Sequence, residues 1–202
     1  TYKIYTARNS GGSGILAVWR DIADDATANV VLPDCPKTNL SCFNSFIAHI
    51  LGYEGPYSLY AALRAQGWVN SLSAGGGMSG SGYKDFNINI QLTEDGVNNA
   101  FQVAQTVFNY IRKIKNEGLE TWRYEEKRLT SELSFHFQES PPAGELAPQL
   151  SVNAHHYPIH DVVYGDYRMD GLSIQRAKST LDLMAPERAR ITLIHCDVDT
   201  DR

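Results

Sequence analysis

The chain has 202 residues, 43% of them apolar and 20% charged, with 18 Lys+Arg against 23 Asp+Glu and a formal net charge of −5. That length suits one domain burying roughly 70% of its unfolded surface, and the acidic balance argues against a nucleic-acid grip, which needs a basic stripe to neutralise phosphates. No apolar run approaches the ~20 residues that span a bilayer, so no membrane partner is expected, and no basic segment followed by an apolar one opens the chain as a secretory signal would.

Taken in chain order, Tyr2 to Thr6 and Ile15 to Arg20 are strand-forming, and Ala28 to Leu32 is a third candidate stopped by Pro33. Thr38 or Asn39 can cap a helix whose Phe43, Ile47, Ile50 and Leu51 share a face, with Gly52 expected to end it in the left-handed conformation. Pro56 is placed to open the next helix, which runs to Gly67. Trp68, expected in the core, begins a strand to Ala74, and the glycines from Gly75 to Gly82 predict an irregular loop.

Phe86-Asn87-Ile88-Asn89-Ile90-Gln91-Leu92 alternates strictly between apolar and polar, the pattern of a strand with one wet face. Thr93 can cap a helix on which Val97, Phe101, Ala104, Phe108, Ile111 and Ile114 repeat at helical spacing before Gly118. A further helix from Glu120 to about Phe137 sets Trp122, Leu129, Leu133 and His136 on one stripe. Beyond Pro141-Pro142, an irregular helical region (145–157), a helix (173–184) and a strand (191–196) complete the pattern. Paired strands interleaved with long helices predict an α+β fold, an antiparallel sheet with helices packed on one face. No linker divides it, so residues 1–202 are expected to form a single domain.

The chemistry-bearing motifs are mostly exclusions. Cys35, Cys42 and Cys196 are odd in number and lack C-x-x-C spacing, which favours reduced intracellular thiols in a cytoplasmic setting over zinc or a disulfide scaffold. His156 and His160 stand four apart, but Pro158 breaks the helix on which they would converge. Neither H-E-x-x-H nor H-x-x-E-H occurs. The Gly-rich stretch lacks the Lys-Ser/Thr and the following helix of a P-loop, and no G-x-S-x-G elbow is present. No catalytic residue and no metal ligand is therefore assigned. A Gly-rich strand end does let another backbone approach closely, as strand addition requires.

One set of residues carries more. His49-Ile50-Leu51-Gly52-Tyr53-Glu54-Gly55-Pro56, followed by Ser58-Leu59, Leu63 and Gly67-Trp68-Val69-Asn70, resembles the second, non-zinc domain of pitrilysin/insulysin-type (insulinase-like) zinc metalloendopeptidases. The likeness continues through Leu92-Thr93-Glu94-Asp95-Gly96, Phe108-Asn109-Tyr110-Ile111, Gly118-Leu119-Glu120, Tyr157-Pro158 and Ala185-Pro186-Glu187. It implies a metallopeptidase-half (processing-peptidase-like) fold and a fragment of a four-domain peptidase, with zinc bound in the catalytic domain of the parent and no cofactor in this chain. The chain alone would be inactive, a chamber wall that anchors peptide substrates and packs against the other domains. The matching exosite positions are His49, Gly52 and Glu54 at a helix end, with Leu72, Ser73, Ala74 and Gly75 on an edge strand. There the N-terminal segment of a peptide would add as a strand, its ammonium group facing Glu54. The chain departs from the pattern at Tyr53, where the family commonly has His, and at Ala74, where it usually has Gly. The alternative is a non-catalytic structural subunit of the same fold, as in mitochondrial processing peptidases.

Overall fold

The alternating segment around Phe86 forms a central strand of the molecule. The structure, a computed structural model, describes residues 4–8, 12–19, 40–79, 84–169 and 174–196. Five strands, β1 (Ile4–Arg8), β2 (Gly14–Trp19), β3 (Val69–Ser79), β4 (Lys84–Leu92) and β5 (Ala189–His195), form one sheet in the order β1-β5-β2-β4-β3. The sheet is mixed rather than antiparallel throughout. β1 runs parallel to β5, because the last strand enters between β1 and β2 instead of joining an edge. The β2–β5, β2–β4 and β3–β4 pairs are antiparallel, as expected. The candidate strand at 28–32 and the Thr38/Asn39 cap lie outside the described residues.

Period-two patterning decides which face is covered. Phe86, Ile88, Ile90 and Leu92 of β4, with Ile15, Ala17 and Trp19 of β2, are buried, while Asn89 and Gln91 stay exposed. Each large apolar side chain so buried contributes about 1.5–3 kcal/mol. The helices α1 (Leu40–Leu51), α2 (Leu59–Ala65), α3 (Glu94–Asn98), α4 (Ala100–Glu117), α5 (Thr121–Phe137), α6 (Ala143–His156) and α7 (Ile174–Leu183) complete the architecture. The core draws Phe46, Ile47 and Leu51 from α1, Leu59 and Leu63 from α2, Val103, Val107 and Ile111 from α4, and Leu181 from α7. Trp19 closes it, its ring edge-on to Phe108 and its indole N–H donating to the Ala185 carbonyl at 3.1 Å. Trp68 is only half-buried and packs against the rim of the core.

Several boundaries differ from the pattern-based expectation, each for a local reason. β3 runs through Gly75, Gly76 and Gly77, and Gly75 and Gly76 pair with Asn87 and Phe86 of β4, so the expected irregular loop is strand at its start. A Cβ at Gly77 would meet the Asn87 side-chain amide, which would have to turn aside. The helix predicted from Pro56 begins instead at Leu59, with the Ser58 hydroxyl accepting from the Ala61 N–H at 3.0 Å. Tyr57 has φ 64, and a left-handed residue cannot sit inside a right-handed helix, so Pro56 belongs to a turn. Thr93 caps as expected, accepting from the Gly96 N–H at 3.0 Å, but the long helix is broken at Asn99 into α3 and α4. Phe101 is consequently exposed rather than buried.

Candidate functional site

The C-terminal end of α1 meets β3 at the border of the sheet. Ser45, Ala48, His49 and Gly52 recur at helical spacing and so share one face of α1 and its end. With Tyr53 and Glu54 of the following turn, they form one side of an open cleft of about 490 Å³. Leu72, Ser73 and Ala74 of β3 form the other side, and Lys127 of α5 reaches in. Six of the seven positions singled out above thus line one cavity. Gly75, the seventh, continues β3 beyond it.

Gly52 ends α1 where it meets β3, but not in the way expected. Its φ is not positive. A Cβ there would instead come within 3.0 Å of the carbonyl oxygen of Ala48 in the same helix, while the Ala74 amide nitrogen of β3 would lie at an ordinary contact distance of 3.8 Å. The Ala74 methyl faces this same junction, 4.0 Å from that position, packed with the core rather than directed along the sheet border.

The polar groups of the cleft are only partly paired. His49 Nε2 lies 3.6 Å from the Glu126 carboxylate on α5, and no ion pair joins His49 to Glu54 among the described residues. Glu54 and Lys127 form no ion pair among the described residues, leaving an anion and a cation open to a ligand. Tyr53 lies over Gly55, and the Arg123 guanidinium sits 5.5 Å from its ring centre. Tyr53 also borders a second cleft of about 280 Å³ with Tyr57 and Tyr110. Burial raises the Tyr110 phenol above its ordinary pKa, the nearby Arg123 opposing and Glu117 adding to that effect. Ser45, Ala48, Glu126 and Lys127 were not singled out from sequence. The first two carry a legible signal, the i, i+3, i+4, i+7 spacing they share with His49 and Gly52, whereas Glu126 and Lys127 arrive from a distant helix.

β3 is the outermost strand, and no described residue extends the sheet beyond it. Exposed edges are usually guarded by charge, Pro or strong bulges. β3 has the sequence VNSLSAGGGMS, with no charged residue and no Pro over its 11 residues. Between irregularities at Val69/Ser71 and Gly76/Ser79, the register from Ser71 to Gly76 is regular. No group of three or more His, Cys, Asp or Glu among the described residues is arranged to hold a metal ion, and no described helix is long and apolar enough to cross a membrane.

Comparison with known proteins agrees with this architecture. Residues 38–130 match the family described as the peptidase M16 inactive domain, and residues 135–201 match the middle or third domain of peptidase M16. Human insulin-degrading enzyme is 28% identical over 149 residues, covering 74% of this chain and 15% of that protein. Human nardilysin is 30% identical over 153 residues, covering 74% of this chain and 13% of its own length. The chain therefore spans a small part of these relatives. A crystal structure of pitrilysin superposes with a TM-score of 0.85 at 19% identity, covering 98% of this chain and 20% of that one. An M16 inactive domain from Pseudomonas fluorescens gives 0.62 at 15% identity, over 98% of this chain and 45% of that one. The chain belongs to the insulinase-like peptidases of the M16 family, and residues 38–130 fall in the domain which that family carries as inactive.

Proposed function

We propose that this chain is the substrate-anchoring part of a peptide-degrading zinc metalloendopeptidase, binding the N-terminal segment of a peptide as an added strand on β3. The carrying observation is the border of β3, free of charge and Pro, beside a cleft where Glu54 has no ion-pair partner among the described residues. Backbone pairing accepts almost any extended sequence, and enclosure between β3 and the end of α1 adds affinity. The ammonium group of the peptide faces Glu54, an exposed pairing worth up to about 1 kcal/mol. Zinc and peptide-bond cleavage belong, in this reading, to another domain of the parent protein. Those domains, which with this one enclose the chamber, have a suitable landing surface on α5, where Trp122, Leu129, Leu133 and Phe137 are all at least half exposed.

The test uses a fluorescent all-threonine hexapeptide and anisotropy. N-acetylation should weaken binding by up to roughly fivefold, and Glu54→Gln should abolish the difference between free and acetylated peptide. Of the two complementary sets of alternate residues, backbone N-methylation of the one whose N–H groups face β3 should weaken binding further, with no hydrolysis in any mixture. Equal affinity for N-methylated and unmodified peptides removes strand addition, and indifference to acetylation removes the ammonium anchor.

A further inference from the structure

Another cleft, of about 310 Å³, opens on the face of the sheet that carries Asn89 and Gln91 and shares a residue with the cleft between α1 and β3. Ser73 lines both, so it marks the crest over which the two faces of the β3 border divide. Register fixes what lies beyond it. Ser71 pairs with Gln91, which pairs with Gly14 on its other side, and Ser73 pairs with Asn89. The Ser71 hydroxyl donates to Gln91 Oε1 at 3.2 Å. Asn89 and Gln91 are exposed, and Ser13 completes the polar part of the lining, which contains no ionisable side chain.

The first cleft, by contrast, holds Glu54 and Lys127 without mutual pairing, and His49 with Glu126 beside it. A strand added to β3 would lie about 4.8 Å away with successive side chains on opposite faces. Alternate residues would then meet two chemically different walls, each the same-face neighbour that governs cross-strand pairing.

We propose that the β3 site reads its peptide with a period of two residues, sensing charge on the side facing α1 and ignoring its sign on the open side. This rests on the anchoring reading above and adds a substrate class to it. Facing α1, the peptide ammonium group occupies Glu54, which leaves Lys127 to favour acidic side chains. Facing Ser71, Ser73, Asn89 and Gln91, hydroxyls and amides offer both donors and acceptors, so acidic and basic side chains are solvated alike. The preferred ligand is an extended peptide with a free N-terminus and acidic residues at alternate positions.

The experiment scans Lys and Glu singly through positions 2 to 5 of the same fluorescent all-threonine hexapeptide, against the 202-residue chain and two variants. For the parent chain, Glu should bind up to roughly fivefold tighter than Lys at positions of one parity, with Lys and Glu equal at the other. Lys127→Gln should flatten the first set. Gln91→Glu keeps the acceptor for Ser71 and lies on the exposed face. It should make Lys tighter than Glu by a similar factor at the second set only, with an unchanged circular-dichroism spectrum. Uniform response at all four positions, with N-methylation still weakening binding, overturns the two-wall inference and leaves anchoring intact. If N-methylation has no effect, anchoring fails and the inference fails with it.

Discussion

At the scale of single residues, polar groups do much of the fastening away from the sheet. Tyr157 follows α6, and its hydroxyl donates to Asp166 at 2.9 Å, while Asn153 donates to the other oxygen of Asp166 at 2.9 Å and to the Val162 carbonyl at 3.0 Å. Burial first, then the hydrogen bond to Asp166 and its charge, push the Tyr157 phenol up to about 12 from an ordinary 10.0. Because the pKa is raised in the folded state, this stabilisation is complete below pH 10 and drains away between pH 10 and 12. Tyr157→Phe should cost about 1 kcal/mol at pH 8. The gap in melting temperature between parent and variant should then narrow as pH rises to 11.5. A constant gap across that window would show that the phenol proton plays no part. Asp161, buried nearby, pairs with Arg168, so this segment is held by a second polar clamp. Tyr157-Pro158 was legible in the sequence only as part of a resemblance, because its partner Asp166 lies in a segment without periodicity.

Among the elements, α5 inverts its sequence pattern. Trp122, Leu129 and Leu133 lie on the stripe that also carries His136, yet they are 55%, 50% and 56% exposed, and Phe137 is 81% exposed. The helix packs through another face, with Tyr124 edge-on to Phe46 and Phe135 against Tyr164 and Tyr167. Periodicity identifies an apolar stripe but says nothing about which molecule or domain covers it. An apolar stripe of this kind on an isolated chain should bind a hydrophobic dye. Leu129→Glu with Leu133→Glu should reduce dye fluorescence while changing stability by no more than about 1 kcal/mol, as both sites are half in solvent. A large loss of stability in thermal melts would instead make the stripe part of this chain's own core. β4 was largely legible because alternation and burial coincide from Ile88 to Leu92, whereas buried Asp85 and half-buried Asn87 depart from the pattern at its start. β3 was half legible, since its glycines are poor strand formers on their own and are recruited by pairing with β4. The cleft between the end of α1 and β3 joins residues about twenty positions apart, and Lys127 from much farther along the chain. Nothing in local spacing announces it, and only the resemblance pointed there.

In the whole molecule, the two family matches meet near residue 130, but the sheet does not divide there. β5, from the second match, lies between β1 and β2 and forms ladders with both. Ending the chain at residue 130 would leave β1 with no neighbour and would expose one side of β2. Such a truncation should lose the cooperative thermal transition and aggregate, and a sharp transition retained at residue 130 would show that the earlier segment is self-sufficient. This insertion also bears on the order of assembly. Ile4 must find Ile191, and Gly14 must find Ile194, across almost the entire chain. Contacts so distant in sequence slow folding, because the loop must close before the pairing compensates for it. During synthesis, β1 and β2 emerge long before the strand that joins them, and β1 has no partner among the described strands until β5 has left the ribosome.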